Sequence, residues 1–303
     1  MRRGVTLIEL IVTLVVASIL SIGMFTAMKT VALQSQKAKA RTIHSLDTQS
    51  ALDQIAALLY HRIPATTIGY NGAAHRPLDN LGAIDDAHTL EWVGYFHEAL
   101  LMEQMSGFVD MAGSNVGANR LSTPNMSINL LTSLGQKWPG MDITDTGIVF
   151  AGSFDQGGAQ VGWHGDADRS DIEDVASIQN GSLNLATNPE WIYEKFYLAD
   201  SGYAVARLGD VHDSNATCLQ PLHVRDPSNT LVLFYGFRPW DGETFCADNN
   251  GAPEGNATIL AENISAFRAE MVGYTIRLSI EARENVGGDI ARPVRISKQK
   301  VVF

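Results

Sequence analysis

Cysteine is almost missing: 303 residues contain two, Cys218 and Cys246, both in the C-terminal half. That excludes a disulfide-dense scaffold and a cysteine-rich zinc module. Basic residues are also scarce, 22 against 33 acids, for a formal charge of −11. A nucleic-acid coat needs a positive surface to neutralise phosphate, so no direct nucleic-acid partner is expected. The eight histidines contain no H-E-x-x-H pair, and G-x-S-x-G, the P-loop and a post-strand G-x-G-x-x-G are absent. No short signature therefore points to an enzyme. Apolar residues make up 45% of the chain, which suffices for a packed core. The charge that exists is unevenly placed. Residues 1–41 hold six basic residues and one acid, Glu9, giving +5, so the rest carries −16.

That basic head is also greasy. Leu10 to Met28 runs 19 residues without a charge. As a helix it spans roughly 29 Å, close to the ~30 Å hydrocarbon core of a bilayer. The run is too long for a secretory signal peptide and offers no small-x-small cleavage site after it. A membrane-inserted helix is the expectation. Glu9 sits inside the apolar run from Val5, between Ile8 and Leu10. An ionised carboxylate there needs a partner, or must reach the headgroups, eased by the helix N-terminal dipole.

The segment Gly4-Val5-Thr6-Leu7-Ile8-Glu9-Leu10 closely resembles the processing signal of the type IV pilin superfamily. The resemblance implies a basic leader, Met1-Arg2-Arg3-Gly4, removed by a membrane aspartyl protease between Gly4 and Val5. The new Val5 amine would then be methylated. Glu9 would occupy the position of the family's glutamate, five residues after the cut. It implies no catalytic residue and no cofactor. Its implied partners are other pilin or pseudopilin subunits, the prepilin peptidase and an inner-membrane assembly platform. The implied location is the bacterial inner membrane, single-pass, with a periplasmic C-terminal head. The count of flanking basic residues points the other way, four beyond the span against two before it. The family topology is preferred because the leader must meet a cytoplasmic-side protease. Glycine at position 4 lets a protease approach the backbone closely.

The division expected is a leader at 1–4, an assembly helix at 5–28, an amphipathic continuation at 29–63 and an α+β head at 64–303. No glycine or proline interrupts residues 24–63, and Pro64 ends the pattern. Leu52, Ile55, Leu59 and Ile63 form an apolar stripe at helical spacing. A helix over 5–63 would be roughly 90 Å long. In the head, Thr89–Phe96, Gly147–Phe154, Trp191–Leu198, Tyr203–Leu208, Thr230–Phe237 and Lys300–Phe303 read as strands. Glu98–Val109 reads as a short helix, and Ala112–Asn129 as a loop. Asp200-Ser201-Gly202 reads as a hairpin turn. Tyr274, Ile276, Leu278 and Ile280 alternate with polar residues, a half-buried strand. The fold class is α+β: a long helix on an antiparallel sheet. The stretch Ile259–Phe267 leading into that strand resembles J-type minor pseudopilins and W-type minor pilins.

In an exported chain Cys218 and Cys246 are expected to pair, contributing about 3–4 kcal/mol. The alternative is two buried free thiols. Asp166, Asp168, Asp171, Glu173 and Asp174 crowd one segment, whose Asp-x-Asp-x-Ser start suggests a calcium loop. Its sixth position is Asp171 instead of glycine and its twelfth is Ser177 instead of glutamate, so a solvated acidic loop is the competing reading. Calcium is thus the one candidate cofactor, and some pseudopilins bind it. A looser acidic group is Asp241, Glu243 and Asp248. The stretches Asp213–Thr217 and Glu254–Thr258 fit an acidic bacterial glycosylation sequon. The function expected is a minor pilin or minor pseudopilin. The alternatives are a pilin-anchored adhesin or a membrane-tethered hydrolase.

Overall fold

The computed structural model describes residues 6–70, 75–77, 89–152, 172–189, 191–211, 219, 221–241, 243, 245, 255–272, 275–286 and 293–303. It opens with one helix, α1 (Leu7–Tyr60), whose 54 residues span about 80 Å. With no glycine or proline after Gly23, nothing breaks the backbone ladder. The hydroxyls of Thr13, Ser18, Ser21, Thr26 and Thr30 each donate to the carbonyl four residues back, at 2.7–3.0 Å. The helix ends before the expected Ile63. The His61 and Arg62 amides tighten onto Leu58 and Leu59, and the Ile63 amide donates to Val93 at 2.9 Å. Ile63 therefore leaves the helical stripe and joins a different part of the core.

The head continues with β1 (Ile68–Tyr70), β2 (His75–Pro77), β3 (Thr89–Tyr95), α2 (His97–Leu101), β4 (Asp110–Asn115), β5 (Arg120–Ser122) and α3 (Leu130–Lys137). Then come β6 (Gly147–Phe150), β7 (Ile172–Gln179), β8 (Ser182–Leu185), β9 (Phe196–Arg207), β10 (Leu231–Phe237) and β11 (Asn256–Ala261). Among the described residues these strands form one antiparallel sheet, ordered β2-β1-β3-β9-β6-β7-β8-β5-β4. β10 lies on the other edge of the C-terminal half of β9, and β11 lies outside β10. A second sheet holds β12 (Ile264–Val272), β13 (Thr275–Glu284) and β14 (Val294–Val302) in that order.

β9 is the centre of the large sheet. Its Val205 lies opposite both Leu90 and Leu233, and its Phe196 opposite Phe150. Neighbouring residues point to opposite faces, so each face has its own core. Leu90, Trp92, Val205, Leu231 and Leu233 pack with α1 and the small sheet. Val93, Val232, Phe234 and Phe237 pack on the far side with Trp240 and Phe245. Burial on both faces explains why β10 reads as a continuous apolar run.

Several expectations need correction. Asp200-Ser201-Gly202 is no hairpin turn but the middle of the unbroken β9. Small polar residues imitate a turn; here all three are buried and each has a separate task. Ser201 Oγ accepts the Gly236 amide at 2.8 Å. Gly202 leaves room for Phe237, whose ring would lie 2.5 Å from an added Cβ. The expected helix over Glu98–Val109 is only α2, stopped where Glu103 (φ 55°) and Gly107 (φ 72°) turn left-handed. The expected loop Ala112–Asn129 contains most of β4 and all of β5. The C-terminal strand begins at Val294, not Lys300.

Candidate functional site

The first half of α1 is uncovered on every side. From Leu7 through Ala32 each residue is exposed, with Leu7 at 79% and Phe25 at 72%. An amphipathic helix hides one face; this cylinder is apolar all round, so all of it calls for an apolar environment. The back-bonded hydroxyls matter here, because hydrocarbon offers no water to satisfy them. This helix meets the length and composition required to cross a membrane. Glu9 lies in the first turn, where the exposed helix amides favour a negative charge. Among the described residues no group pairs with it. Gly4 and Val5 lie outside the described residues.

The second half of α1 is seated on the small sheet, mainly on β14 and β13. Its buried stripe is Ala51, Leu52, Ile55, Ala56 and Leu59, preceded by Ala40, His44 and Thr48. The upper part of this seat is polar and has no apolar signature in the sequence. His44 Nε2 lies 2.6 Å from Glu284, and Thr48 donates to the His44 carbonyl at 2.6 Å. Lys300 reaches Asp53 at 2.5 Å on the outer flank. The alternation of β13 places Ile276, Leu278 and Ile280 against the helix, all fully buried.

Two charged groups organise the large sheet. Asp200, whose side chain is fully buried, accepts Lys137 Nζ at 2.7 Å and Trp138 Nε1 at 3.0 Å on Oδ2. Lys137 also reaches Glu98 at 2.9 Å. Burial opposes the lysine's charge, yet Asp200 and Glu98 hold its pKa above the ordinary value. Burial, with Asp200 adding to it, keeps the Tyr203 phenol well above its usual pKa. The second group is Arg238, bonded to Glu243, Asp241 and Asp145. Its bonds to Glu243, against the cost of burial, raise its pKa. Burial raises the pKa of Asp241 against the opposing pull of Arg238, and Asp174, Glu243 and Asp145 add to the rise.

That second group joins acids far apart in sequence. Asp174, from the crowded segment, and Asp241 with Glu243, from the looser one, converge near Arg238. The Arg238 guanidinium is the cation they share. Glu173 and Asp174 are adjacent on β7 and so point to opposite faces. Asp166, Asp168, Asp171 and Asp248 lie outside the described residues, as do Cys218, Cys246 and the stretch Asp213–Thr217; of Glu254–Thr258 only Glu254 does, and Asn256 to Thr258 lie in β11. Among the described residues no three histidine, cysteine or acidic side chains have the arrangement of a metal site.

A long apolar helix seated by its second half on antiparallel strands is an α+β, pilin-like architecture. Residues 1–25 match the family model described as the prokaryotic N-terminal methylation motif. The chain thus carries the type IV pilin signature at its N-terminus, on a helix able to span a membrane. No curated protein and no solved structure matches the chain.

Proposed function

We propose that this chain is a minor pilin or minor pseudopilin, a structural subunit of a type IV pilus or a type II secretion pseudopilus. Its W-type or J-type character belongs to this proposal. The reading is carried by the bare apolar half of α1, most of which lies within the methylation motif: it is an assembly surface that no other described residue covers. The prepilin peptidase removes residues 1–4, leaving Val5 as a methylated N-terminus. The helix then leaves the inner membrane for the filament, and the periplasmic head goes with it. Other pilin subunits and the assembly platform are the partners; no reaction is catalysed.

Glu9 is the register element. Its carboxylate in one subunit pairs with the Val5 amine of the next, which turns two costly charges into one satisfied pair. Co-expression with a prepilin peptidase should yield a product lacking residues 1–4 and carrying one added methyl group, read by intact mass. Glu9→Gln should leave cleavage intact and lower filament incorporation about tenfold or more, the scale of one lost buried pair. An uncleaved chain, or a Glu9→Gln variant incorporated normally, would overturn the reading. The same mass experiment, run with alkylation before and after reduction, tests the proposed Cys218–Cys246 bond.

A further inference from the structure

Three elements far apart in sequence meet at one nitrogen. Asp200 sits in the middle of β9, Lys137 is the last residue of α3, and Glu98 lies in the first turn of α2. The Phe96 amide donates to the Leu198 carbonyl at 2.8 Å, which ties the start of α2 to β9. Lys137 Nζ lies 2.7 Å from Asp200 Oδ2 and 2.9 Å from Glu98 Oε2. The walls around this contact are aromatic. Nζ is 5.2 Å from the centre of the fully buried Phe96 ring and 6.0 Å from that of Trp138. The Asp200 side chain is wholly shielded from solvent, whereas 24% of the Lys137 side chain stays accessible.

As a plain ion pair this arrangement is incomplete. Two carboxylates share one ammonium, and taking an ion pair out of water costs much of what the attraction gains. Asp200 Oδ2 accepts both Lys137 and the Trp138 indole N–H, yet its buried neighbour Oδ1 accepts nothing. An ionised carboxylate carries charge on both oxygens, so one of them goes unsatisfied in a dry site. An amide needs neither the charge nor the second oxygen. Its carbonyl would keep the Trp138 bond, and its N–H would keep Glu98. An amine and a carboxyl fixed in contact react as though present at about 10⁵ M or more. The exclusion of solvent from Asp200 opposes the reverse hydrolysis.

We propose that Lys137 and Asp200 condense into an intramolecular isopeptide bond, with Glu98 carrying the protons. The ion pair of the structure is the reactant. One ammonium proton first passes by way of Glu98 to Asp200 Oδ1, leaving a neutral amine and a neutral acid. The Nζ lone pair then attacks Asp200 Cγ, and the carbonyl π pair moves onto Oδ2, where the Trp138 N–H stabilises it. A second Nζ proton follows through Glu98 to Oδ1, the Cγ–Oδ1 bond breaks, and one water leaves. Nζ keeps its last hydrogen, Glu98 ends as it began, and no oxidant or cofactor enters. The event happens once in each chain and turns over no substrate. It needs only the head and does not depend on the assembly role.

The test is the intact mass of the full chain, made without prepilin peptidase, purified in detergent, then reduced and alkylated so that the cysteines cannot alter the result. The chain should be one water lighter than its sequence. Trypsin should fail to cut after Lys137 and should give a branched peptide joining Lys137 to Asp200, read by fragment sequencing. Lys137→Arg should restore the full mass. Glu98→Gln leaves the amine and the acid side by side. It should keep the near-UV circular dichroism of the parent chain and slow bond formation at least about a hundredfold, the scale of a lost proton carrier. That rate is read as the unlinked fraction over time after a pulse of synthesis. A folded parent chain at full mass would overturn the proposal. So would a missing water that maps to a succinimide or to another pair of residues, or a bond that forms as fast in Glu98→Gln as in the parent.

Discussion

Asp200 does more than any other single side chain in the head. It neutralises Lys137, orients Trp138 and lies beside Tyr203, all from a fully buried position. Asp200→Ala would leave the Trp138 indole N–H without its acceptor and the partly buried Lys137 ammonium with Glu98 alone. The expected cost is about 3 kcal/mol, the lower end for a broken buried pair, measured as a shift in the denaturation midpoint. Asp200→Asn keeps an acceptor for the indole and should cost less. A second residue-scale prediction concerns His61, which stacks on His97 with ring centroids 3.4 Å apart. Burial, then the neighbouring His97, lowers its pKa below 6.5. The unfolded chain therefore binds this proton more readily. Its contribution to stability is complete above about pH 6.5 and is lost as pH falls through the lower folded-state value. Denaturation midpoints at pH 7.5 and 5.5 should differ less in His61→Gln than in the native protein.

Among the elements, α1 and its seat behave like an ordinary core. Ile55 is fully buried between the helix and the small sheet, so Ile55→Ala should cost about 3 kcal/mol by thermal or chemical denaturation. In the large sheet, Gly202→Ala drives a Cβ into the Phe237 ring and should cost about 1–3 kcal/mol. These two sites also show what was legible beforehand. Ile55 lies on a stripe of period near 3.6, and β13 alternates with period two, so both could be read directly. Asp200-Ser201-Gly202 could not. Local chemistry says turn, and only the arrival of Lys137, Phe237 and Gly236 from elsewhere in the chain makes it strand. The upper seat of α1 was hidden for a similar reason. His44 and Thr48 look solvent-facing until Glu284, 240 residues away from His44, supplies the partner.

For the molecule as a whole, the division of α1 sets its solution behaviour. The first residue of the helix to become buried is Ala40. Deleting residues 1–33 should therefore release the head from the membrane fraction into the soluble one. Its melting temperature should stay within a few degrees of the full chain's, since no core contact is removed. Failure of the shortened chain to leave the membrane fraction would show a second attachment. The charge asymmetry fits the same division: residues 1–41 carry +5 and the remaining residues −16.

The seat of α1 also orders events in time. It is built from β13 and β14, which are made long after α1. During synthesis the stripe of α1 stays bare until the small sheet, residues 264–302, is complete. Contacts between the two ends of a chain close slowly, and exposed apolar surface meanwhile invites proteases and aggregation. A message cut short ahead of Val294 would thus give a chain that still carries its N-terminal motif but lacks one strand of the small sheet. In a pulse-chase experiment a chain lacking 294–303 should decay several-fold faster than the complete one, the in-cell consequence of lost stability.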